Sequence, residues 1–123
     1  MKRANRLRKG AQFDDTYAKG TVVSGPLLIL RFRANSVGTV RWGFAVGKRL
    51  APHAVDRNRT KRRLTEAALG MVELPRSGRG GETGGFDLIV TCRGRSIEAS
   101  QRELAEALRR CLERAGVVPR TNK

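Results

Sequence analysis

Between Arg57 and Arg63 the sequence reads RNRTKRR, which places five cations and one amide in seven positions. The cations are Arg57, Arg59, Lys61, Arg62 and Arg63, and the amide is Asn58. A guanidinium is a planar fork that grips phosphate oxygens in pairs, and Asn58 can donate and accept at sugar or base edges. In a helix this spacing sets like charges three and four residues apart, which costs stability unless an anion neutralises them. A solvated charged face accounts equally well for an isolated Lys-Arg-Arg run. Here Lys48 and Arg49 stand just upstream, and Lys2, Arg3, Arg6, Arg8 and Lys9 crowd the N-terminus. Those added cations turn the reading toward capture of RNA or DNA.

Residues for making and breaking bonds are scarce. Asp14 and Asp15 are adjacent and Asp87 stands alone in its segment, so no acid pair suits a two-metal nuclease. His53 is the single histidine, which leaves no material for a His-based metal site or a nucleophile–His pair. Cys92 and Cys111 form no Cys-x-x-Cys pair and read as reduced, core-packed residues of a cytoplasmic protein. The expectation is a protein that holds no cofactor or metal of its own.

Net charge narrows the partner. Lys and Arg number 26 against 11 Asp and Glu, a formal +15, and such a field draws polyanions, either nucleic acid or an anionic membrane. No run approaches the roughly 18 apolar residues of a spanning helix. The basic N-terminus is followed by no apolar segment that would make a secretion signal. Basic residues are also spread along the chain rather than gathered beside one anchor. Nucleic acid is therefore the expected partner, with no membrane role.

The elements that position these residues follow from periodicity. The 123 residues are expected to form one domain (1–123), with a basic tail over 1–10 and a flexible Gly-rich loop over 74–85. A first helix is predicted from Ala11 to Lys19, with Phe13 and Tyr17 on one face and Gly20 at its stop. Leu27 to Arg33 alternates as a strand, with Leu28, Leu30 and Phe32 on one side and Leu27, Ile29, Arg31 and Arg33 on the other. A turn over 35–38 leads to a strand from Val40 to Val46. After Pro52 a helix runs from Ala54 to Leu69 or Val72. Its apolar side carries Thr60, Leu64, Ala67, Ala68 and Met71. Asn58, Arg59 and Arg62 lie opposite, Arg63 on the flank, and Arg57 and Lys61 near the edge of the apolar stripe. Asp56 either pairs locally with Arg57 or favours the helix N-terminus. Phe86 to Cys92 is a strongly apolar strand. Ser100 and Glu103 match a capping box, after which Leu104, Leu108, Cys111, Leu112 and Ala115 repeat at helical spacing until Gly116. The order is helix, two or three strands, helix, strand, helix: an α+β chain folded as a two-layer α/β sandwich.

Several segments together resemble one family. Arg57-Asn58-Arg59 followed by Lys61-Arg62 within a helix is one. GFAVGKRL from Gly43 to Leu50 is another, as are Asn5 to Leu7 ahead of a basic pair and Phe13, and an apolar strand from Asp87 before a Leu-rich helix. In this order and spacing they are similar to the bacterial ribonuclease P protein, over nearly the whole chain. The resemblance implies a small mixed sheet with a left-handed βαβ crossover, against the general right-handed rule. It implies that the RNA subunit is contacted by Lys48, Arg49, Arg57, Asn58, Arg59, Lys61, Arg62 and Arg63. It further implies that a cleft between the first helix and the sheet holds the 5′ leader of precursor tRNA through Phe13, Tyr17, Ile29 and Arg31. Such a cleft has a physical basis, since unpaired bases stack on aromatic rings while cations follow the backbone. Phe13 and Tyr17 taken alone read as ordinary core packing. Arg31 stands where some relatives carry an aromatic residue, so its contact would be electrostatic. The Gly-rich loop is longer than the family leads one to expect.

The implied function is the non-catalytic protein subunit of a ribonucleoprotein endoribonuclease. Its RNA partner, with Mg2+ held by that RNA, removes the leader from precursor tRNA, and no obligate protein partner is implied. The competing readings are a ribosomal or ribosome-associated RNA-binding protein and an independent nuclease dependent on Asp87.

Overall fold

A computed structural model describes residues 6–7, 11–35, 40–69 and 85–117. Helix α1 (Ala11–Lys19) leads into strands β1 (Thr21–Ser24), β2 (Leu28–Asn35) and β3 (Val40–Ala45). Helix α2 (Ala54–Leu69) then crosses to β4 (Gly85–Cys92), and a short turn of 3-10 helix at Ser96–Glu98 precedes α3 (Gln101–Ala115). The strands form one mixed sheet in the order β1-β2-β4-β3, with β3 and β4 parallel and the other pairs antiparallel. The α+β order and the mixed sheet are those expected.

The optional third strand is β1. All but one of its four residues are exposed, so it carries no apolar alternation by which to find it. The remaining strand limits shift by one or two residues: β2 extends to Asn35, β3 stops at Ala45, and β4 begins at Gly85. The rest of the expected loop (74–84) lies outside the described residues. So do Met71 and Val72, the turn residues 36–38, and the basic tail apart from Arg6 and Leu7.

Two-residue alternation along the strands divides the sheet into two faces. One face carries Leu28, Leu30, Trp42, Leu88, Val90 and Cys92 into a core completed by Leu64, Ala67 and Ala68 of α2 and Leu104, Leu108, Cys111 and Leu112 of α3. Each large apolar side chain buried there contributes about 1.5–3 kcal/mol. Burial also pushes the Cys92 and Cys111 thiols above their usual pKa, although Ser96 acts in the opposite direction on Cys92 and Arg114 on Cys111. The other face carries Ile29, Arg31 and Arg33 with Asp87, Ile89 and Thr91, and α1 packs against part of it.

Asp87 has a basic partner rather than an acidic one. Arg41 Nε and Nη2 donate to its two carboxylate oxygens at 2.8 and 2.9 Å, and Asn35 Nδ2 donates at 2.8 Å. This buried, bidentate arrangement joins β2, β3 and β4. At the start of α3, Ser100 and Glu103 close the expected capping box, and at its end Gly116 adopts φ 77° as the left-handed C-cap. Among the described residues no helix is long and apolar enough to cross a membrane.

Candidate nucleic-acid interface

Helix α2 is anchored by Thr60, Leu64, Ala67 and Ala68, all buried, as its period predicts. The six polar candidates on it then separate by what their side chains touch. Arg57 Nη1 donates to the carbonyls of Ala51 and Pro52 at 2.9 and 3.0 Å. Arg63 Nη1 donates to Ala99 O at 2.8 Å, while Gln101 Nε2 donates back to Arg63 O at 3.1 Å. Both guanidiniums thus fix α2 to neighbouring backbone. Arg59 pairs through Nη2 with Asp56 Oδ1 at 2.8 Å, so the local acid joins Arg59 rather than Arg57. An i, i+3 spacing brings the two side chains onto one helix flank, whereas adjacent residues point apart. Asn58, Lys61 and Arg62 are exposed, as are Lys48 and Arg49 in the turn before the helix.

A second group gathers around α1. The Phe13 and Tyr17 rings stack with centroids 6.5 Å apart, and the Arg31 guanidinium lies 4.1 Å above the Tyr17 ring. This is cation–π geometry. Tyr17 is 49% exposed, so core packing does not describe it. Phe13 is half-buried: a Cβ on Gly43 would sit 3.0 Å from its ring, so the absence of a side chain at 43 lets α1 approach the sheet. Ile29 lies on this same face, opposite Ser24 of β1 and Thr91 of β4. The structure therefore brings all four leader candidates to one face of the sheet.

A groove of about 890 Å3 runs over the edge strand β3. Asn58, Arg59, Lys61, Arg62 and Arg63 line it from α2, Trp42 and Phe44 from β3, and Phe13 from α1. It links one member of the leader group to the α2 cations but does not reach Tyr17, Ile29 or Arg31. Lys48 and Arg49 also lie outside its lining. Arg6 and Leu7 border the groove, and Leu7 N donates to Trp42 O at 2.8 Å along the open edge of β3.

Alternation along Val40–Val46 puts Trp42, Phe44 and Val46 on one strand face, and in the structure Trp42 and Val46 are buried in the core with Phe44 partly buried against it. The alternation was visible in the sequence; the position of β3 at the sheet edge was not. Among the described residues no cluster of three or more His, Cys, Asp or Glu side chains is arranged to hold a metal ion. Asp87 is already held by Arg41 and Asn35.

Comparison with known proteins yields a consistent set. A family model for ribonuclease P matches residues 1–116. The ribonuclease P protein component of Symbiobacterium thermophilum is 34% identical over 121 residues, covering 98% of each chain. The solved Staphylococcus aureus RNase P protein superposes with a TM-score of 0.77 at 25% identity, covering 94% of this chain and 99% of that one. The Thermotoga maritima RNase P protein gives a TM-score of 0.74 at 23% identity, over 89% of this chain and 96% of that one, and so shares the fold.

Proposed function

The chain belongs to the bacterial ribonuclease P protein family, the non-catalytic protein subunit of that ribonucleoprotein endoribonuclease, and on that footing we propose how its surfaces divide the work. The exposed side of α2, with Asn58, Lys61, Arg62 and the free edge of Arg59, binds the catalytic RNA, joined by Lys48 and Arg49. Arg57 and Arg63 hold that helix at its working angle. The α1 side of the sheet, with Phe13, Tyr17, Ile29 and Arg31, receives the single-stranded leader of precursor tRNA. The observation that carries this division is α2 itself: its apolar stripe is buried while cations occupy its outward surface.

The protein's contribution in this reading is electrostatic and geometric. Cations on α2 lower the repulsion between two RNAs, and phosphate contact releases counterions. An exposed Tyr17 under Arg31 offers a base a flat partner and the backbone a charge. Holding the leader selects precursor over mature tRNA and lowers the Mg2+ that the RNA requires. Mg2+ belongs to the RNA in this proposal, and the reaction takes place in the cytoplasm.

Cleavage of a 5′-labelled precursor by the cognate RNA at low Mg2+ tests the proposal. Adding the protein should raise cutting at the mature 5′ end, while protein alone should cut nothing. Tyr17→Ala should weaken holoenzyme affinity for precursor by about 1–3 kcal/mol without altering affinity for mature tRNA. Equal affinity of the wild-type holoenzyme for precursor and mature tRNA would remove the leader site.

A further inference from the structure

Trp42 is the only tryptophan, is 2% exposed, and has an indole Nε1 that is buried without a hydrogen-bond partner. An indole N–H can only donate, and buried donors are ordinarily satisfied. Arg59 Nε, also buried and without a partner, borders the same groove. The Arg59 guanidinium is already steadied by Asp56, so its remaining edge is held in place. Phe44 stacks against Trp42, with centroids 5.9 Å apart and planes 11° apart, and is partly exposed. Exposed Lys61 and Arg62 stand on the α2 wall. The groove thus has a floor made of the partly exposed ring of Phe44, backed by the buried Trp42 with its unused donor, and a wall that carries Arg59, Lys61, Arg62 and Arg63 together with Glu66.

We propose that this groove binds an unpaired RNA nucleotide, with its base on Phe44 beside Trp42 and its phosphate at Lys61 and Arg62. The inference rests on the reading of α2 as an RNA-binding helix and deepens it. A duplex does not satisfy the floor, because its bases are paired and stacked on one another and leave no base face free to lie on an aromatic ring. A bare phosphate satisfies the wall but leaves the aromatic floor uncovered. The volume lies within the roughly 300–1,000 Å3 of pockets that enclose small organic ligands. The base that completes the unused Trp42 Nε1 or Arg59 Nε donor presents a carbonyl or ring-nitrogen acceptor, as guanine and uracil both do.

Trp42 supplies its own reporter. The intact protein is titrated with a labelled single-stranded oligouridylate of about five nucleotides and with an abasic oligomer of equal length. Anisotropy follows binding while indole emission follows the groove. The base-bearing oligomer should change Trp42 emission saturably, and the abasic one should bind about tenfold more weakly with no emission change. Trp42→Phe removes the donor and keeps a ring, and it should weaken the base-bearing oligomer several-fold with an unchanged salt slope. The wild-type titration decides the matter if that variant fails to fold.

Equal affinity for the two oligomers, or silent emission at saturation, overturns the inference. If emission is silent while Lys61→Ala/Arg62→Ala still weakens assembly with the RNA subunit, the groove proposal falls and the α2 reading stands. If that double variant assembles normally, both fall. Separate titrations with the RNA subunit and with a leader oligonucleotide identify the nucleotide's source by which of them alters the emission.

Discussion

Helices α2 and α3 pack against each other, have 16 and 15 residues, and are both rich in arginine, yet they handle charge in opposite ways. On α3, four arginines meet three glutamates. Arg109 pairs with Glu106 and Glu113, and Arg110 with Glu106, all at helical spacing. On α2, five cations meet two acids, and only Asp56 forms an ion pair there among the described residues. Two of the α2 arginines are instead drawn into backbone contacts, leaving Lys61 and Arg62 exposed. Arginine content does not distinguish α3 from the helix proposed to meet RNA. The placement of acids does.

This contrast is open to attack from both sides. The largest effect is expected on α3, whose role here is packing. Leu108→Ala removes a fully buried side chain and should lower unfolding stability by about 2–5 kcal/mol, read by chemical denaturation. A loss below about 1 kcal/mol would mean that α3 is not the keystone of the core.

Next comes the charge itself. Lys61→Ala/Arg62→Ala should weaken RNA-subunit binding by about a hundredfold at low salt. The same double variant should reduce the slope of log K against log salt by a little under two. Arg109→Ala/Arg110→Ala removes as much charge from α3 and should leave that slope unchanged. Equal slopes from the two double variants would erase the distinction between the helices.

A smaller effect separates the arginines within α2. Arg63→Ala breaks the contact to Ala99 O and should cost about 1 kcal/mol of stability, with less change in salt slope than Lys61→Ala produces. Equal slope changes with no loss of stability would make Arg63 a phosphate ligand instead. Smallest of all, Glu106→Gln should cost no more than a few tenths of a kcal/mol, because its ion pairs are half-exposed and screened by salt. A loss above about 1 kcal/mol would show that α3 relies on those pairs for more than solubility.

Much of this was legible in the sequence, and the part that was not has a common cause. The period of Thr60, Leu64, Ala67 and Ala68 revealed the buried side of α2, and Ser100 with Glu103 marked the start of α3, because both signals are local. The Arg41–Asp87 pair spans 46 positions and depends on strand register, for which no local signal exists. Strand β1 stays optional in the sequence because its side chains are mostly exposed and give no apolar alternation. The resemblance brought Phe13, Tyr17, Ile29 and Arg31 together, but the stacking of Arg31 on Tyr17 depends on how α1 lies on the sheet. The anchoring contacts of Arg57 were hidden for a similar reason: their targets are backbone carbonyls five and six residues upstream, and main chain leaves no mark in residue types.

The strand order described above bears on how the chain comes together during synthesis. Neighbours in sequence, β2 and β3 are separated in the sheet by β4, which arrives roughly forty residues later. Until then each has a bare edge where β4 belongs, and unpaired edges invite adventitious pairing. The polypeptide must keep that slot open across the whole crossover and then thread its most apolar strand into it. Closure of this long loop, rather than formation of any helix, should set the pace of folding. A nascent chain leaving the ribosome thus displays its cationic helix to surrounding RNA before the sheet beneath it exists.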